Sequence, residues 1–330
     1  MKNKLFFENK LPYRTAFDRM VLMESIRKGA RMEYIPAKTI VTKTKSSEWF
    51  GIDYNMNIYK GCCHGCIYCD SRSSCYRIER FDTVRAKEDA LRIVRDDLRR
   101  KVKTGVVGTG AMSDPYNPFE KELELTRHAL ELVDAFGFGA GIATKSILLK
   151  RDADILESIK EHSPVILKVT VTTADDELAE KIEPGVPSST ERFELIDYLS
   201  SRGLFTGILL MPVLPFLEDS PENITTVVRK AHEAGASFIY AAFGVTLRDN
   251  QREWYYDKLG QLFPERDLAA EYRKRYGERY ECRSPAAKRL WAIFAAECEK
   301  YGILYRMKDI IHGYKKNYEN SQISLFDFLQ

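Results

Sequence analysis

The sequence has no uninterrupted run of 18 or more apolar residues, so it predicts no membrane-spanning helix. Its amino terminus, Met1 to Glu8, contains no continuous apolar segment followed by small residues and therefore predicts no secretory signal. Charge of one sign is not in large excess, because 51 basic residues face 48 acidic ones and leave a net charge of +3. We therefore expect a cytoplasmic protein with no membrane partner, and the charge neither requires nor excludes binding to nucleic acid.

The overall composition is typical of a large globular fold. Of the 330 residues, 44% are hydrophobic and 30% are charged, which excludes a chain that is disordered throughout. No internal repeat or low-complexity segment is evident. The length allows two average domains or one α/β barrel of ordinary size.

The seven cysteines are distributed unevenly along the chain. Five of them fall between residues 62 and 75. In a cytosolic protein such crowding favours metal binding over disulfide bonds, since that compartment keeps thiols reduced. The sequence therefore predicts a metal centre in this segment.

Short β-branched apolar runs alternate with longer helical patterns between residues 54 and 243. This alternation predicts repeated βα units around a parallel sheet, because buried parallel strands have continuous apolar runs. The predicted strands are a first one around Asn57–Tyr59 and five more that begin at Val106, Gly139, Val165, Thr206 and Phe238. The predicted helices cover 86–102, 121–136, 152–162, 190–202 and 221–234.

Six βα units are too few to close an eight-stranded barrel. The predicted fold class is therefore α/β, a partial (βα)6 TIM-type barrel with a C-terminal helical extension and a flexible tail. The functional residues of such a barrel are expected at the carboxyl ends of its strands. The predicted boundaries are an N-terminal extension over 1–50, the partial barrel over 51–250, the helical extension over 251–315 and the tail over 316–330.

A cysteine motif directly follows the first predicted strand. Cys62, Cys66 and Cys69 form the pattern Cys-x3-Cys-x2-Cys, and Gly61 and Gly65 give the loop backbone freedom. Three thiolates on one tight loop can hold three irons of a four-iron cluster. The fourth iron is then left without a protein ligand and open to another chelator.

A zinc site is the alternative interpretation of the same three cysteines. Zinc takes four nitrogen or sulfur ligands, so His64 or Cys75 would complete the set. The position of the motif at the mouth of the first strand of a βα domain favours the iron–sulfur cluster. In that case Cys63 and Cys75 are not ligands.

Several short phrases of the sequence resemble one family of enzymes. The cysteine segment 61–73, with a tyrosine directly before its last motif cysteine, resembles the signature of the radical S-adenosylmethionine (SAM) superfamily. Four further phrases resemble the spore photoproduct lyase-like branch, whose members are often described as DNA repair photolyases. These phrases are Met112-Ser-Asp-Pro-Tyr, Thr144-Lys-Ser, Glu183-Pro-Gly and Met211-Pro-Val-Leu-Pro. The resemblance extends over about residues 35–310.

The resemblance implies reductive cleavage of SAM. The amino and carboxylate groups of SAM bind the fourth iron, an electron enters from a donor such as flavodoxin or ferredoxin, and a 5′-deoxyadenosyl radical forms. That radical abstracts a hydrogen atom from the substrate, while the protein orients the target atom. Damaged or modified DNA is the substrate that we expect. The alternatives are an RNA, protein or small-molecule substrate, or a zinc-stabilised nucleic-acid-binding module without redox chemistry.

The resemblance also assigns residues to SAM. It places Tyr68 beside the adenine, Ser113 near the methionine part and Thr170 near the ribose. Lys145 matches the lysine that pairs with the SAM carboxylate in spore photoproduct lyase, a position where a point charge suits an anion. The remaining residues of the predicted SAM site, at the end of the second strand, are Gly110 and Asp114.

One functional group of the related lyase is missing here. Spore photoproduct lyase has a cysteine hydrogen-atom donor near the end of its second strand, and Ala111 stands at the matching position. Cys63, Cys75 and Tyr116 are the candidates to replace that donor. The missing thiol argues against thymine-dimer lyase activity in a spore.

The carboxyl-terminal tail contains a short linear motif. Gln322-Ile-Ser-Leu-Phe resembles the pentapeptide by which bacterial proteins bind the replicative sliding clamp. In this interpretation Leu325 and Phe326 enter an apolar pocket, and the Gln322 amide hydrogen-bonds the pocket rim. The alternative is that these apolar residues fold back onto their own domain. Clamp attachment would keep the enzyme close to DNA.

Overall fold

The structure, a computed structural model, describes residues 32–318. Buried β-branched runs form its central strands, and shorter strands form two small sheets beside them. The strands are β1 (Glu33–Ile35), β2 (Val41–Lys43), β3 (Tyr54–Met56), β4 (Tyr59–Lys60), β5 (Arg85–Lys87), β6 (Val106–Thr109), β7 (Gly139–Thr144), β8 (Val165–Thr170), β9 (Thr206–Leu210), β10 (Phe238–Ala241), β11 (Gly244–Thr246) and β12 (Glu281–Arg283).

The central sheet has seven strands in the order β10-β9-β8-β7-β6-β3-β2. Its six strands from β3 to β10 run parallel, while β2 is antiparallel to β3 at one edge. The end strands β2 and β10 do not pair with each other, so the barrel stays open. This arrangement confirms the predicted partial (βα)6 barrel.

Helices connect the parallel strands and cover the outside of the sheet. Four of the five predicted helices, those expected from residues 121, 152, 190 and 221, begin within one residue of the predicted position, and the one expected from residue 86 begins at Ala90. Some of the helices have clear capping residues. Ser188 and Glu191, for example, form a reciprocal capping box at the start of one of them. The helices are α1 (Ala90–Arg99), α2 (Glu120–Leu123), α3 (Leu125–Ala135), α4 (Ala153–His162), α5 (Asp176–Ile182), α6 (Ser189–Ser201), α7 (Pro221–Glu233), α8 (Asp249–Leu262), α9 (Leu268–Tyr276), α10 (Ala287–Tyr301) and α11 (Met307–Lys315). Over residues 32–318, none of them is long and apolar enough to cross a membrane.

The final helix closes the amino-terminal end of the barrel. Ile310 and Tyr314 of α11 pack in one hydrophobic cluster with Phe50, Val106 and Phe238. The Tyr314 hydroxyl also donates a 2.7 Å hydrogen bond to the Phe50 carbonyl. This end of the barrel is therefore filled with side chains, which leaves the carboxyl ends of the strands for binding.

One local prediction was wrong and another was incomplete. The first parallel strand is β3, which ends at Met56, whereas the segment around Asn57–Tyr59 leads into β4 of the three-stranded sheet β1-β5-β4. The helical extension also contains β12, which pairs with β11 in a two-stranded antiparallel sheet. Of the predicted tail over 316–330, residues 319–330 lie outside the described part of the chain, and so do residues 1–31.

Candidate active site

The cysteine motif lies on the long loop 61–84, which connects β4 to β5. The loop backbone is hydrogen-bonded to the last residue of α5 and to the segment just after it. Ile67 donates its N–H to the carbonyl of Ile182 at 3.0 Å, and Gly185 donates to the carbonyl of His64 at 2.8 Å. The loop is thereby fixed over the carboxyl ends of the parallel strands.

Two glycines are required for this arrangement. Gly61 has a φ of +84°, and a Cβ atom there would lie 2.2 Å from the carbonyl oxygen of Thr83. Gly110, at the end of β6, has a φ of +94°, and a Cβ atom there would lie 1.9 Å from the carbonyl oxygen of Ala143. Any side chain at either position would collide with backbone, so the chain needs glycine at both.

The three motif cysteines meet in one cavity. Cys62, Cys66 and Cys69 all line a cavity of about 350 Å³ at the carboxyl ends of the strands. All seven cysteines of the chain are free thiols, so none is engaged in a disulfide. The structure therefore brings together the three residues that the sequence predicts as cluster ligands.

The donor set of the cavity bears on which group it could hold. The three motif thiols line one cavity and come from one loop. A four-iron cluster binds three such thiolates, each on a different iron, whereas zinc takes four nitrogen or sulfur ligands at one centre. The donor set of three thiols on one loop therefore fits the group that the sequence predicts.

Buried charge lies directly beside the motif. Burial opposes ionisation of Cys62, but the adjacent His64 outweighs this effect and holds the pKa of the Cys62 thiol below its usual value. Burial opposes protonation of His64, yet Cys62 and Asp114 raise its pKa to about 9. Burial raises the pKa of Cys66 well above its usual value.

Lys145 is the cationic residue that reaches this cavity from the end of β7. Its ammonium nitrogen lies 3.9 Å from Oε1 of Glu183 and 5.6 Å from the centre of the Tyr68 ring. Burial disfavours the charged form of Lys145, but Cys66 and Glu183 outweigh this effect and raise its pKa above the usual value. A permanent positive charge therefore stands beside the three thiols.

Glu183 supports two residues of the cavity lining, Tyr68 and Lys145, from a fully buried position. Its Oε2 lies 2.7 Å from a guanidinium nitrogen of Arg192, and its Oε1 accepts a short hydrogen bond from the hydroxyl of Tyr68. Burial would raise the pKa of Glu183, but Arg192 and Lys145 hold it below its usual value. An ionised carboxylate therefore fixes the Tyr68 ring and the Lys145 chain in place.

Tyr68 is positioned from both its ring and its backbone. The ring lines the cavity and is 6% exposed, while the backbone carbonyl accepts a 3.1 Å hydrogen bond from the side-chain amide of Gln251. Gln251 lies on α8, and it also donates to the carbonyl of Thr246 at 3.0 Å. The helical C-terminal region thus supports the cysteine loop.

Asp114 lines the cavity, but its carboxylate is engaged by neighbouring groups of the protein. Its Oδ1 accepts from the Thr144 hydroxyl at 2.7 Å and from the Tyr116 N–H at 2.9 Å. Its Oδ2 accepts from the Lys145 N–H at 2.8 Å and lies 3.5 Å from Nδ1 of His64. Asp114 is therefore well placed to hold Lys145 in register with the cysteine loop.

Ser113 and Thr170 also reach the same cavity. The Ser113 hydroxyl donates to the carbonyl of Tyr59 at 3.1 Å. Thr170 ends β8 and is 6% exposed, and its carbonyl accepts a 2.8 Å hydrogen bond from Arg192. With Gly110, all six residues predicted to contact SAM line this one cavity.

The three predicted hydrogen-atom donors do not line this cavity. The ring of Tyr116 is 1% exposed and packs in the main hydrophobic core. Cys63 packs against the same core, as a cysteine next to a ligand is expected to do. Cys75 is exposed and lines a separate surface cleft with Arg248 and Tyr280. We therefore do not carry these three residues forward as hydrogen donors.

The sequence does not reveal several residues that support the lining of the cavity. Glu183 enters only through the phrase Glu-Pro-Gly, and the sequence predicts no role for Arg192 or Gln251. Arg192 and Gln251 lie in helices among other polar residues, so no local sequence pattern marks them as buried. Only their fully buried positions, at 0% exposure, reveal them.

Comparison with known proteins agrees with this geometry. The profile of the Radical SAM superfamily matches residues 56–228. An uncharacterized protein of Mycobacterium tuberculosis is 30% identical over 269 residues, which cover 78% of each chain. Spore photoproduct lyase complexed with dinucleoside spore photoproduct has a similar fold, with a TM-score of 0.60, 15% identity, and coverage of 89% of this chain and 84% of that one. A structure of that lyase with bound AdoMet and dinucleoside spore photoproduct has a TM-score of 0.59, 14% identity, and coverage of 81% and 79%.

The chain therefore belongs to the radical SAM superfamily, as the cysteine motif predicts. Its fold is similar to that of spore photoproduct lyase. Membership of this superfamily implies a four-iron cluster and SAM as cofactors. The alternative of a zinc-stabilised binding module without redox chemistry is not supported.

Proposed function

We propose that this protein cleaves SAM reductively at a 4Fe–4S cluster held by Cys62, Cys66 and Cys69, and that it acts on damaged or modified DNA. The observation that carries the first part is the meeting of three free thiols and the Lys145 ammonium in one cavity. When bound, the cluster and SAM supply a 5′-deoxyadenosyl radical that takes a hydrogen atom from the substrate. We expect a reduced flavodoxin or ferredoxin to be the electron donor.

The residues of the cavity would divide the binding of SAM between charge and shape. Lys145 would bind the SAM carboxylate, since its ammonium group reaches the cavity and both Cys66 and Glu183 favour its charged form. Tyr68 and Thr170 would contact the nucleoside part. Gly110 would let the ligand approach the backbone closely, because no side chain intervenes there.

Two observations support DNA as the substrate. The tail motif that ends at Phe326 is similar to a sliding-clamp ligand, and the clamp encircles DNA. The structures with a similar fold include a spore photoproduct lyase complexed with dinucleoside spore photoproduct, a ligand that contains two linked nucleosides. At 15% identity the similarity is one of fold and does not extend to the reaction. Ala111 stands where the related lyase has its donor thiol, so the proposal names no particular lesion.

Transfer of a hydrogen isotope tests the substrate class directly. The cluster-loaded, reduced protein is incubated with SAM and with perdeuterated DNA that has been irradiated or alkylated, and 5′-deoxyadenosine is analysed by mass spectrometry. Abstraction from DNA should place deuterium in the 5′-deoxyadenosine. If 5′-deoxyadenosine gains deuterium only from labelled RNA, protein or small metabolites, that class is the substrate and the proposal of DNA is wrong.

We also propose that the tail binds the bacterial sliding clamp. Phe326→Ala should weaken clamp binding by at least ten-fold, because one buried aromatic anchor of a linear motif commonly contributes about 2 kcal/mol to the binding free energy. The cluster content and SAM cleavage of the variant should be unchanged. Calorimetric titration of purified clamp with the full chain measures the affinity.

Phe328→Ala is the matched control for this variant. It removes the same aromatic side chain two residues further on, outside the pentapeptide. Clamp binding should survive in Phe328→Ala. Equal loss of affinity in the two variants, or loss of cluster in Phe326→Ala, would refute a tail that acts only as a tether.

A further inference from the structure

A second cavity, of about 760 Å³, opens inside the barrel beside the cysteine cavity. The connection between β2 and β3 forms one side of it, and β6 to β9 form the other. The two cavities share part of their lining, which consists of the small residues Gly110, Ala111 and Ala143 and the larger Leu209 and Met211. A molecule in this second cavity would therefore lie directly next to bound SAM.

The side chain of Lys168 is buried in the wall of the second cavity. It is 4% exposed and lies on β8, opposite Ala143 and Gly207 on the neighbouring strands, which bring no charge. Its ammonium nitrogen is 5.1 Å from the centre of the Phe50 ring. Within residues 32–318 it has no hydrogen-bond or ion-pair partner. Burial of an unpaired ammonium group is costly, so an anionic ligand in this cavity would stabilise the charged form of Lys168.

The rest of the cavity complements an anion with flat rings. Lys43 and Lys45 line it from the β2 side and are exposed, and no acidic residue within the described range is among its lining. Trp49, which is 48% exposed, also lines it and packs edge-on against Phe50. Exposed tryptophan rings are common stacking platforms for nucleic-acid bases.

We infer that Lys168 binds a backbone phosphodiester of the substrate in this cavity, with Trp49 stacking on an adjacent base. This inference rests on the proposed function and adds a specific phosphate site to it. Lys168 is a positioning residue, because it would hold the nucleotide next to the SAM cavity without touching the reacting atoms. Lys43 and Lys45 would contact the flanking backbone at the opening.

The buried environment makes this interaction sensitive to pH. Burial lowers the pKa of Lys168 to about 7, so the free protein loses this charge just above neutrality. The other charged groups that line the cavity are Lys43 at the end of β2 and Lys45 in the loop after it. The ring of Phe50, which faces the Lys168 ammonium group, packs in turn against Tyr240 of β10. A phosphodiester favours the protonated amine. Affinity should therefore fall as the pH rises from 6.5 to 9.

The test uses two ligands that differ only in charge. Dithymidine linked by a phosphodiester and dithymidine linked by an uncharged methylphosphonate are each titrated into the full, cluster-loaded chain. At pH 6.5 the protein should bind the phosphodiester at least about ten-fold more tightly, as expected for a charge-assisted hydrogen bond. Lys168→Met should lose this preference, whereas Lys168→Arg should keep it and lose its dependence on pH. Lys150→Met, at an exposed lysine of the loop after β7, should behave as the parent protein.

A stability measurement shows whether the variants remain folded and whether Lys168 is buried as described. In the unfolded chain a lysine keeps its proton up to about pH 10.4, whereas Lys168 in the folded protein loses it near pH 7. The unfolded state then binds more protons between these values, so the stability of the parent relative to Lys168→Met should rise with pH there. If the parent protein and Lys168→Met are both folded and their stabilities change with pH in the same way, Lys168 is not a buried, unpaired lysine.

The outcomes separate this inference from the proposed function. Equal affinity of the parent for the two ligands, or an unchanged preference in Lys168→Met, overturns the phosphate site even if DNA donates hydrogen to 5′-deoxyadenosine. A preference that depends on Lys168 supports the site even if no DNA lesion is processed. Binding is measured without turnover, so a failed reaction does not affect it.

Discussion

Replacing Cys66 with alanine should remove the iron–sulfur cluster and abolish cleavage of SAM. Cys66 is the middle residue of the motif and is buried in the cavity wall, so water would not readily replace its thiolate. Loss of one of three protein ligands leaves a second iron without a protein donor. Iron bound per protein after anaerobic reconstitution should fall from about four to near zero. The brown absorption of the cluster should disappear with it.

Cys63→Ala and Cys75→Ser are the matched controls for this experiment. Both cysteines belong to the same loop, yet neither lines the cavity that the motif thiols share. Each control should retain full iron and sulfide. A Cys66→Ala variant with full iron content, or a cluster lost in either control, would show that the ligand assignment is wrong.

Lys145→Met should weaken SAM binding by about 10 to 100-fold, which corresponds to the loss of one charge-assisted hydrogen bond. Methionine keeps the length and the apolar stem of the side chain and removes only the ammonium group. The carboxylate of Glu183 keeps its 2.7 Å contact with Arg192, so the residues that support the cavity should stay ordered. Equilibrium dialysis of SAM against the cluster-loaded protein measures the effect.

Lys150→Met serves as the control for Lys145→Met as well. It removes the same group five residues further on, from an exposed site outside the cavity. Iron content should be the same in both variants and in the parent protein. Unchanged SAM affinity in Lys145→Met would remove Lys145 from the binding site, and loss of iron would indicate a structural role instead.

The parallel strands could be predicted because their residues are buried on both faces. The run from Val165 to Thr170 is buried throughout, and such a run has few other interpretations. The first strand was misplaced because apolar and aromatic residues recur from Tyr54 to Tyr59 while the chain passes from one sheet to another. Strand pairing, which decides where β3 ends and β4 begins, is not encoded in the local pattern.

The residues of the site could be predicted only where the chain keeps them close in sequence or in a recognisable phrase. The cysteine loop is one such segment, and all six residues predicted to contact SAM share its cavity. Arg192 and Gln251 reach the site through contacts with Thr170 and Tyr68, which are distant in sequence. The sequence predicts no role for Lys168, because a single lysine in an apolar strand does not change the predicted structure.

The central claim is that this cavity cleaves SAM, and one assay tests it most directly. The protein is reconstituted anaerobically with iron and sulfide, reduced with dithionite and incubated with SAM, and 5′-deoxyadenosine is measured against the Cys66→Ala variant. The account predicts 5′-deoxyadenosine together with the paramagnetic signal of a reduced four-iron cluster, and neither of them in the variant. A colourless protein that binds one zinc ion tightly and forms no 5′-deoxyadenosine would contradict it.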